Sequence, residues 1–109
     1  MSIRQQKASK QLKKSLCEYF ILNNDQFDEI PSITKISISK DLKNATVYIY
    51  VNETIDITQS FCNSLNEKSY SINQFMIKNV QFRVLPKLRF TPDKEQRELD
   101  DIQKLLNKL

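Results

Sequence analysis

The sequence predicts an α+β fold with the element order α-β-β-α-α-β-α and a three-stranded mixed sheet. Two observations predict it. Apolar residues recur at helical spacing near both ends of the chain and in its middle, whereas residues 33–40, 45–51 and 80–85 alternate apolar and polar side chains as strands do. Because 109 residues, 39% of them hydrophobic, can form one core, we expect residues 1–109 to be a single domain.

The first helix is predicted from Ser2 to about Asn23. Its apolar stripe consists of Ala8, Leu12, Leu16, Tyr19 and Phe20. On a helix that turns about 100° per residue, five basic side chains lie opposite this stripe or at its edges. They are Arg4, Lys7, Lys10, Lys13 and Lys14, and no acidic residue accompanies them in the first fourteen positions. This basic face is either a solvated helix surface or a site for phosphate groups.

Residues 33–40 and 45–51 are predicted to form a β-hairpin with a polar turn at residues 41–44. The second strand is rich in the β-branched residues that sheets favour. Tyr48 and Tyr50 lie on the opposite face from the valine and isoleucine side chains of that strand. There the two rings could either stack on nucleic-acid bases or cover an exposed side of the sheet.

Two short helices are predicted after the hairpin, with a bend near Ser69, a residue type that caps helix N-termini. Helical spacing identifies the side chains expected to face the core. They are Ile57, Phe61 and Leu65 in the first of these helices, and Ile72, Phe75 and Met76 in the second.

The third strand is predicted from Val80 to Leu85, followed by a connection to the last helix. Thr91 is the predicted N-cap of that helix and Pro92 its first residue. The last helix is expected to bury Leu99, Ile102, Leu106 and Leu109. Its outer face is expected to expose Arg97, Asp101, Lys104 and Lys108 as neighbours of mixed charge.

The residue types that are absent exclude most catalytic arrangements. The chain has no glycine, so it cannot contain a P-loop, a dinucleotide-binding turn or a nucleophile elbow of the usual sequence. It has no histidine, the commonest general base and metal ligand. We therefore expect a protein that is not an enzyme and that binds no cofactor, metal or small-molecule substrate.

Composition also indicates the compartment and the kind of partner. No apolar segment approaches the roughly 20 residues that a membrane-spanning helix needs. Cys17 and Cys62 have neither CxxC spacing nor a histidine nearby. These features predict a reduced, cytoplasmic protein with no membrane partner. The net charge of +4 and the pI near 9.1 permit a polyanionic partner.

The predicted element order is that of a type II KH domain with an additional C-terminal helix. KH domains grip single-stranded nucleic acid with a GXXG loop between two helices, and a chain without glycine cannot form that loop. RNA binding would therefore use basic faces and strand edges, which favours the recognition of folded RNA.

Two segments resemble one protein family, ribosome-binding factor A. Residues 39–49, SKDLKNATVYI, resemble its S-x-D-L-x-x-A-x-V-Y-V signature, and residues 86–93, PKLRFTPD, resemble its P-x-L-x-F-x-x-D signature. The resemblance extends over nearly the whole chain. It departs from the family at the bend, where Lys68-Ser69-Tyr70 replaces an Ala-x-Gly kink. Because a residue with a Cβ resists positive φ, we expect a different kink here.

The resemblance implies a KH-like protein, not an enzyme, that binds the small ribosomal subunit through 16S rRNA. It implies a role in the late maturation of that subunit, including processing at the 5′ end of 16S rRNA, and in growth in the cold. We expect a monomer away from the ribosome. The alternatives are a generic RNA-binding KH-like module and a protein–protein adaptor in translation, which would bind through an apolar patch.

The candidate rRNA-binding residues are basic side chains that we expect to form one surface. They are Arg4, Lys7, Lys10, Lys14, Lys68, Lys78, Arg83, Lys87 and Arg89. For Arg83 and Arg89 the alternative is an ion pair with an acidic neighbour such as Glu53. By contrast, Asp41, Pro86 and Asp93 are expected to shape the fold, as a turn former, a strand end and an acid in the first turn of the last helix.

Overall fold

The computed structural model describes residues 2–23, 31–51, 54–79 and 85–109. The elements follow the predicted order: α1 (Ile3–Leu22), β1 (Ser32–Ile38), β2 (Asn44–Tyr50), α2 (Ile55–Glu67), α3 (Ser69–Asn79), β3 (Lys87–Pro92) and α4 (Lys94–Asn107). The strands lie in the order β1-β2-β3, and β2 is antiparallel to β1 and parallel to β3. The predicted α+β class and the mixed sheet are therefore confirmed.

α1 begins at a capping box and is fixed to the sheet from its first turn. Ser2 Oγ accepts the N–H of Gln5, and Gln5 Oε1 accepts the N–H of Ser2. The Gln5 side chain is buried, and its Nε2 donates to the carbonyl of Ile38 at 2.7 Å. The start of α1 therefore lies against the end of β1. The predicted apolar stripe of α1 is buried, as expected.

The core lies between one face of the sheet and the helices α1, α2 and α3. The buried face of α2 differs from the predicted one. The helix buries Thr58, Cys62 and Leu65. Ile57 is half exposed instead of buried. Thr58 tolerates burial because its hydroxyl donates to the carbonyl of Thr54 at 2.9 Å, so no polar group is left unsatisfied. In α3, the predicted Ile72 and Met76 are fully buried.

The bend between α2 and α3 forms without the backbone conformation that favours glycine. Lys68, the C-cap of α2, has φ −87° and ψ 12°. Among the described residues, only Leu42 has a positive φ. Lys68-Ser69-Tyr70 therefore makes this bend with ordinary backbone angles, and no Cβ penalty opposes it. Ser69 is the first residue of α3.

β3 occupies a later segment than the sequence predicted. The predicted strand at residues 80–84 lies outside the described residues, and the strand that is present runs from Lys87 to Pro92. Its inner side chains are Leu88, Phe90 and Pro92, and Thr91 and Pro92 therefore belong to the strand and not to the helix. Pro92 is tolerated because β3 is an edge strand and ends there.

The N-cap of α4 is Asp93, and the prediction of Thr91 was wrong. Asp93 Oδ1 accepts the N–H of Gln96 at 3.0 Å, and the backbone N–H of Asp93 donates to the carbonyl of Ile49 at 2.9 Å. A hydrogen bond also joins the Thr34 hydroxyl to the Asp93 carboxylate. This residue therefore connects the sheet to the last helix.

The predicted burial of α4 was also wrong. Leu99, Ile102 and Leu106 are more than half exposed, and α4 has no buried residue. The inner face of the sheet is already covered by α1 to α3, which leaves no room for a fourth helix. The radius of gyration is 14.8 Å, above the roughly 13 Å of a compact domain of this length, consistent with a projecting helix.

Candidate nucleic-acid interface

The turn between β1 and β2 holds Leu42 in a left-handed conformation, with φ 60°. That conformation costs about 1–2 kcal/mol for a residue with a side chain. Hydrogen bonds offset the cost: Asp41 Oδ1 accepts from the Ser39 hydroxyl at 2.6 Å and from the N–H of Lys43 at 3.1 Å. These bonds, the Ser39 contact foremost, lower the pKa of Asp41. Asp41 is therefore a turn former, as predicted.

The strained turn places Leu42 against α1, where the basic residues of the helix begin. Leu42 packs against the core and lines a groove with Arg4, Lys7 and Lys10. The turn contributes Lys40 and Lys43, both exposed, at the same end of the sheet. The signature residues of this hairpin therefore bring cations from two segments of the chain together.

β3 adds a third set of cations to this end of the molecule. The N–H of Lys87 donates to the carbonyl of Lys43 at 2.8 Å, so the start of β3 adjoins the turn. Arg89 follows two residues later, on the same outer side of the strand. Lys87 and Arg89 lie on the outer face of the sheet, whereas α1 covers the inner face. We use the name basic band for all the cations near this end of the sheet, and its members are Arg4, Lys7, Lys10, Lys40, Lys43, Lys87 and Arg89.

The electrostatics of the basic band favour an anionic partner. All seven cations are exposed, and the structure shows no ion pair between any of them and a described acidic residue. The alternative of an ion pair for Arg89 is thus not realised within the described residues. Asp41 is the acidic residue of the turn, and its carboxylate is engaged in hydrogen bonds there. The band therefore carries a concentrated positive charge.

The structure does not bring every predicted site residue to the basic band. Lys14 is exposed on α1, roughly 15 Å further along the helix axis than Arg4. Lys68 and Lys78 line a separate groove with Tyr19, near the C-terminal end of α1. At about 1.5 Å per residue, Tyr19 lies some 22 Å along α1 from Arg4. The candidates thus form two clusters, and Arg83 and Glu53 lie outside the described residues.

The outer face of the sheet carries a cleft of about 500 Å³. Lys35 Nζ lies 4.6 Å from the centre of the Tyr48 ring, a cation–π contact between paired residues of β1 and β2. Arg89 also lines the cleft, but so do Asp93 and Glu95. The mixed charge makes this cleft a weaker anion site than the basic band.

Tyr50 is engaged within the protein. A hydrogen bond joins its hydroxyl to the Asp100 carboxylate of α4. That contact raises the pKa of Tyr50 and lowers the pKa of Asp100, which also pairs with Lys104 at 3.2 Å. Tyr50 therefore joins the outer face of the sheet to α4, a structural role that neither of the two predicted alternatives included.

Sequence reasoning missed two members of the band, Lys40 and Lys43, although both lie inside the hairpin signature. A signal was available: both flank the predicted turn, and a turn at a sheet end is exposed. The adjacent start of β3 could not be foreseen, because the parallel pairing of Asn44 with Lys87 joins segments far apart in the chain.

The described residues contain no group of three cysteine or acidic side chains that could hold a metal ion. Burial raises the pKa of the Cys62 thiol to about 11, so this cysteine is neutral and unreactive at physiological pH. Among the described residues, each helix is too short or too polar to cross a bilayer.

Comparison with known proteins adds a family and a fold. The family model described as ribosome-binding factor A matches residues 4–106. A ribosome-binding factor A of Anaplasma marginale is 28% identical over 93 residues, covering 85% of this chain and 80% of that protein. A relative from Rickettsia typhi with the same name is 29% identical over 109 residues, covering 96% of this chain and 86% of that protein.

A crystal structure and a fitted homology model of Thermus thermophilus ribosome-binding factor A share the fold. The crystal structure has a TM-score of 0.69 at 22% identity, covering 81% of this chain and 94% of that one. A homology model fitted into the cryo-electron microscopy map of a 30S complex has a TM-score of 0.63 at 20% identity, covering 78% of this chain and 90% of that one. The fold is therefore KH-like, as predicted.

Proposed function

Because this chain belongs to the ribosome-binding factor A family, we propose that it binds the small ribosomal subunit and assists the late maturation of that subunit. The proposed role includes processing at the 5′ end of 16S rRNA and support of growth in the cold. A structural relative fitted in a 30S complex supports the choice of subunit. The protein acts by binding, not as an enzyme, in the cytoplasm and as a monomer away from the ribosome.

The basic band is the observation that carries this proposal. Seven exposed cations from α1, the hairpin turn and β3 lie at one end of the fold, and the described acidic residues form no ion pairs with them. A phosphate backbone would gain affinity from each such contact through counterion release. The GXXG loop is missing, so the band takes the place of that grip and favours folded rRNA over short single strands.

The remaining candidates have secondary roles in this proposal. Lys14 extends the contact along α1. Lys68 and Lys78 form a second patch at the far end of that helix, in reach of the same partner only if the partner is large. A ribosomal subunit meets that condition. Arg83 keeps its proposed role in rRNA binding, although it lies outside the described residues.

Co-sedimentation with purified small subunits tests the proposal. The combined variant Arg4→Gln, Lys7→Gln and Lys10→Gln should co-sediment at least tenfold more weakly than wild type, because three exposed cations of the band are removed. Its thermal melt should be unchanged. The matched control also removes three exposed cations, but outside the basic band: Lys13→Gln, Lys35→Gln and Lys94→Gln. It should bind almost as wild type does.

Equal loss of binding in both variants would mean that net charge alone, and not the basic band, sets the affinity. Short single-stranded RNA is the second target. Wild-type protein that binds such oligomers as tightly as subunits would identify a generic KH-like module and contradict a role in subunit maturation.

A further inference from the structure

α4 presents a continuous apolar stripe that nothing in the described structure covers. Its members are Leu99, Ile102, Leu105 and Leu106, each between 55% and 63% exposed, and Leu109 continues the stripe just beyond the helix. No residue of α4 is buried. Isolated helices of about this length are marginally stable in water. An exposed stripe of this kind on a short helix is typical of a protein-docking surface.

The apolar stripe of α4 does not face the sheet of the same chain. Asp100 faces the sheet, since it is hydrogen-bonded to Tyr50 of β2. At about 100° per residue, the apolar side chains are centred nearly opposite Asp100 on the helix. The stripe therefore points away from the body of the protein, while the polar side of α4 is held towards it.

The charge of α4 argues against RNA as the occupant. α4 contains three basic and four acidic side chains, so its net charge is −1, unlike that of the basic band. Glu98 and Asp101 lie beside the stripe, near its start and near its middle. A phosphate backbone would meet carboxylates there and gain little from counterion release. An apolar face with a rim of mixed charge matches the composition of protein interfaces instead.

The length of the stripe argues against a second copy of this chain. Leu99, Ile102, Leu106 and Leu109 have the 3-4-3 spacing of a coiled coil. The repeat spans two heptads, however, fewer than the three to four or so that indicate a coiled coil. A single helix laid into a preformed apolar groove needs no such length, because the groove surrounds the stripe on several sides.

We propose that α4 docks its apolar stripe into an apolar groove of a protein component of the small subunit, while the basic band contacts rRNA. This inference rests on the proposed function and adds a second, chemically different contact. The expected groove is about 20 Å long, the length of a helix of this size, and its rim carries both signs of charge. The protein would then contact rRNA and a protein of the subunit at the same time.

Binding to two targets tests the inference: intact small subunits and protein-free 16S rRNA. The α4 variant carries Leu99→Gln, Ile102→Gln and Leu106→Gln, which keep helix propensity while removing the stripe. We expect at least a tenfold loss of affinity for intact subunits and unchanged affinity for protein-free 16S rRNA. Helicity and melting temperature should match wild type, because the three side chains are exposed.

The matched control removes three exposed apolar side chains elsewhere, with the changes Ile21→Gln, Ile57→Gln and Ile77→Gln. It should bind both targets as wild type does. Unchanged subunit binding by the α4 variant would overturn the inference, and an equal loss on protein-free rRNA would identify RNA as the occupant. A wild-type dimer in sedimentation equilibrium that the α4 variant does not form would identify a second copy.

The two proposals fail in different ways. Wild-type protein that binds neither subunits nor 16S rRNA contradicts the proposed function, and the docking inference with it. The variants of the basic band and of α4 are both tested on subunits. Normal binding by the basic-band variant together with weak binding by the α4 variant would contradict only the proposed role of the basic band. The reverse result contradicts only the docking of α4.

Discussion

α1 and α4 are both amphipathic helices, yet only α1 buries its apolar stripe. Leu12, Leu16 and Phe20 of α1 are fully enclosed, whereas Leu99 and Leu106 of α4 are more than half exposed. α1 lies along β1, where Gln5 and Ser9 donate to strand carbonyls. α4 follows the edge strand β3 and is joined to the sheet through polar contacts of Asp93 and Asp100. The same apolar periodicity therefore contributes to the core in α1 and forms an exposed surface in α4.

The largest expected difference between the two helices is in stability. Leu16→Ala removes a fully buried side chain and should lower the free energy of unfolding by about 2–5 kcal/mol. Urea denaturation followed by circular dichroism measures it. A decrease below about 1 kcal/mol would show that α1 packs far less tightly than the structure indicates.

Asp93 lies where the packed body and α4 meet, so its removal should have an intermediate effect. Asp93→Ala deletes the N-cap of α4 and the hydrogen bond with Thr34, at a cost of about 0.5–2 kcal/mol at pH 7. A decrease in α4 helicity measured by circular dichroism should accompany it. An unchanged helix content would mean that α4 does not depend on this cap.

The same carboxylate predicts a pH dependence. Burial opposes the ionisation of Asp93, but hydrogen bonds from Thr34 and the Gln96 N–H outweigh it and hold its pKa below the ordinary 3.8. The ionised form thus stabilises the fold above pH 3.8, and this contribution disappears as the pH falls through the lowered pKa. The difference in unfolding free energy between wild type and Asp93→Ala should shrink between about pH 5 and about pH 2. A difference independent of pH would contradict it.

The smallest effect is expected in α4 itself. Leu106→Ala should change the free energy of unfolding by no more than about 0.5 kcal/mol, since more than half of this residue is already exposed to water. Paired urea titrations with Leu16→Ala make the comparison direct. A decrease of about 2 kcal/mol or more would mean that α4 is buried against the body in solution.

The order of the elements could be predicted from the sequence because local periodicity determines element type. The stripe of α1 and the alternation in β1 and β2 are strong local patterns, and the hydrogen-bonded turn at Asp41 follows from its residue types. The buried face of α2 was predicted wrongly because it includes a polar residue, Thr58. The hydroxyl of Thr58 can be buried because it donates a hydrogen bond within the helix. A hydrophobicity pattern does not register a polar residue of this kind.

The burial of α4 could not be read from its own pattern. An apolar stripe indicates that a helix has a partner, but not whether that partner is in the same chain. The start of β3 was missed for a related reason: Leu88, Phe90 and Pro92 alternate as well as Val80 and Phe82 do, and only the pairing with β2 shows that residues 87–92 form a strand. Pro92 also resembled a first helical residue until Asp93 proved to be the cap.

The candidate site was predictable in charge but not in arrangement. The acid-free start of the chain identified Arg4, Lys7 and Lys10. Their position at the same end of the sheet as Lys43 and Lys87 depends on the conformation of Leu42 and on a parallel strand pair, both of which are tertiary features. Lys68 and Lys78 were assigned to the same surface because the sequence does not show which end of α1 lies beside α3. That the two clusters act on one partner stays a prediction.

The salt dependence of binding tests the central claim, that the basic band binds rRNA phosphates, most directly. The association constant for small subunits would be measured at several salt concentrations for wild type and for the combined Arg4, Lys7 and Lys10 to Gln variant. The slope of its logarithm against log salt should become shallower by about 0.7–0.9 for each phosphate that the variant no longer neutralises, hence by roughly 2–3 in total. Equal slopes for the two proteins would show that these cations do not bind phosphates.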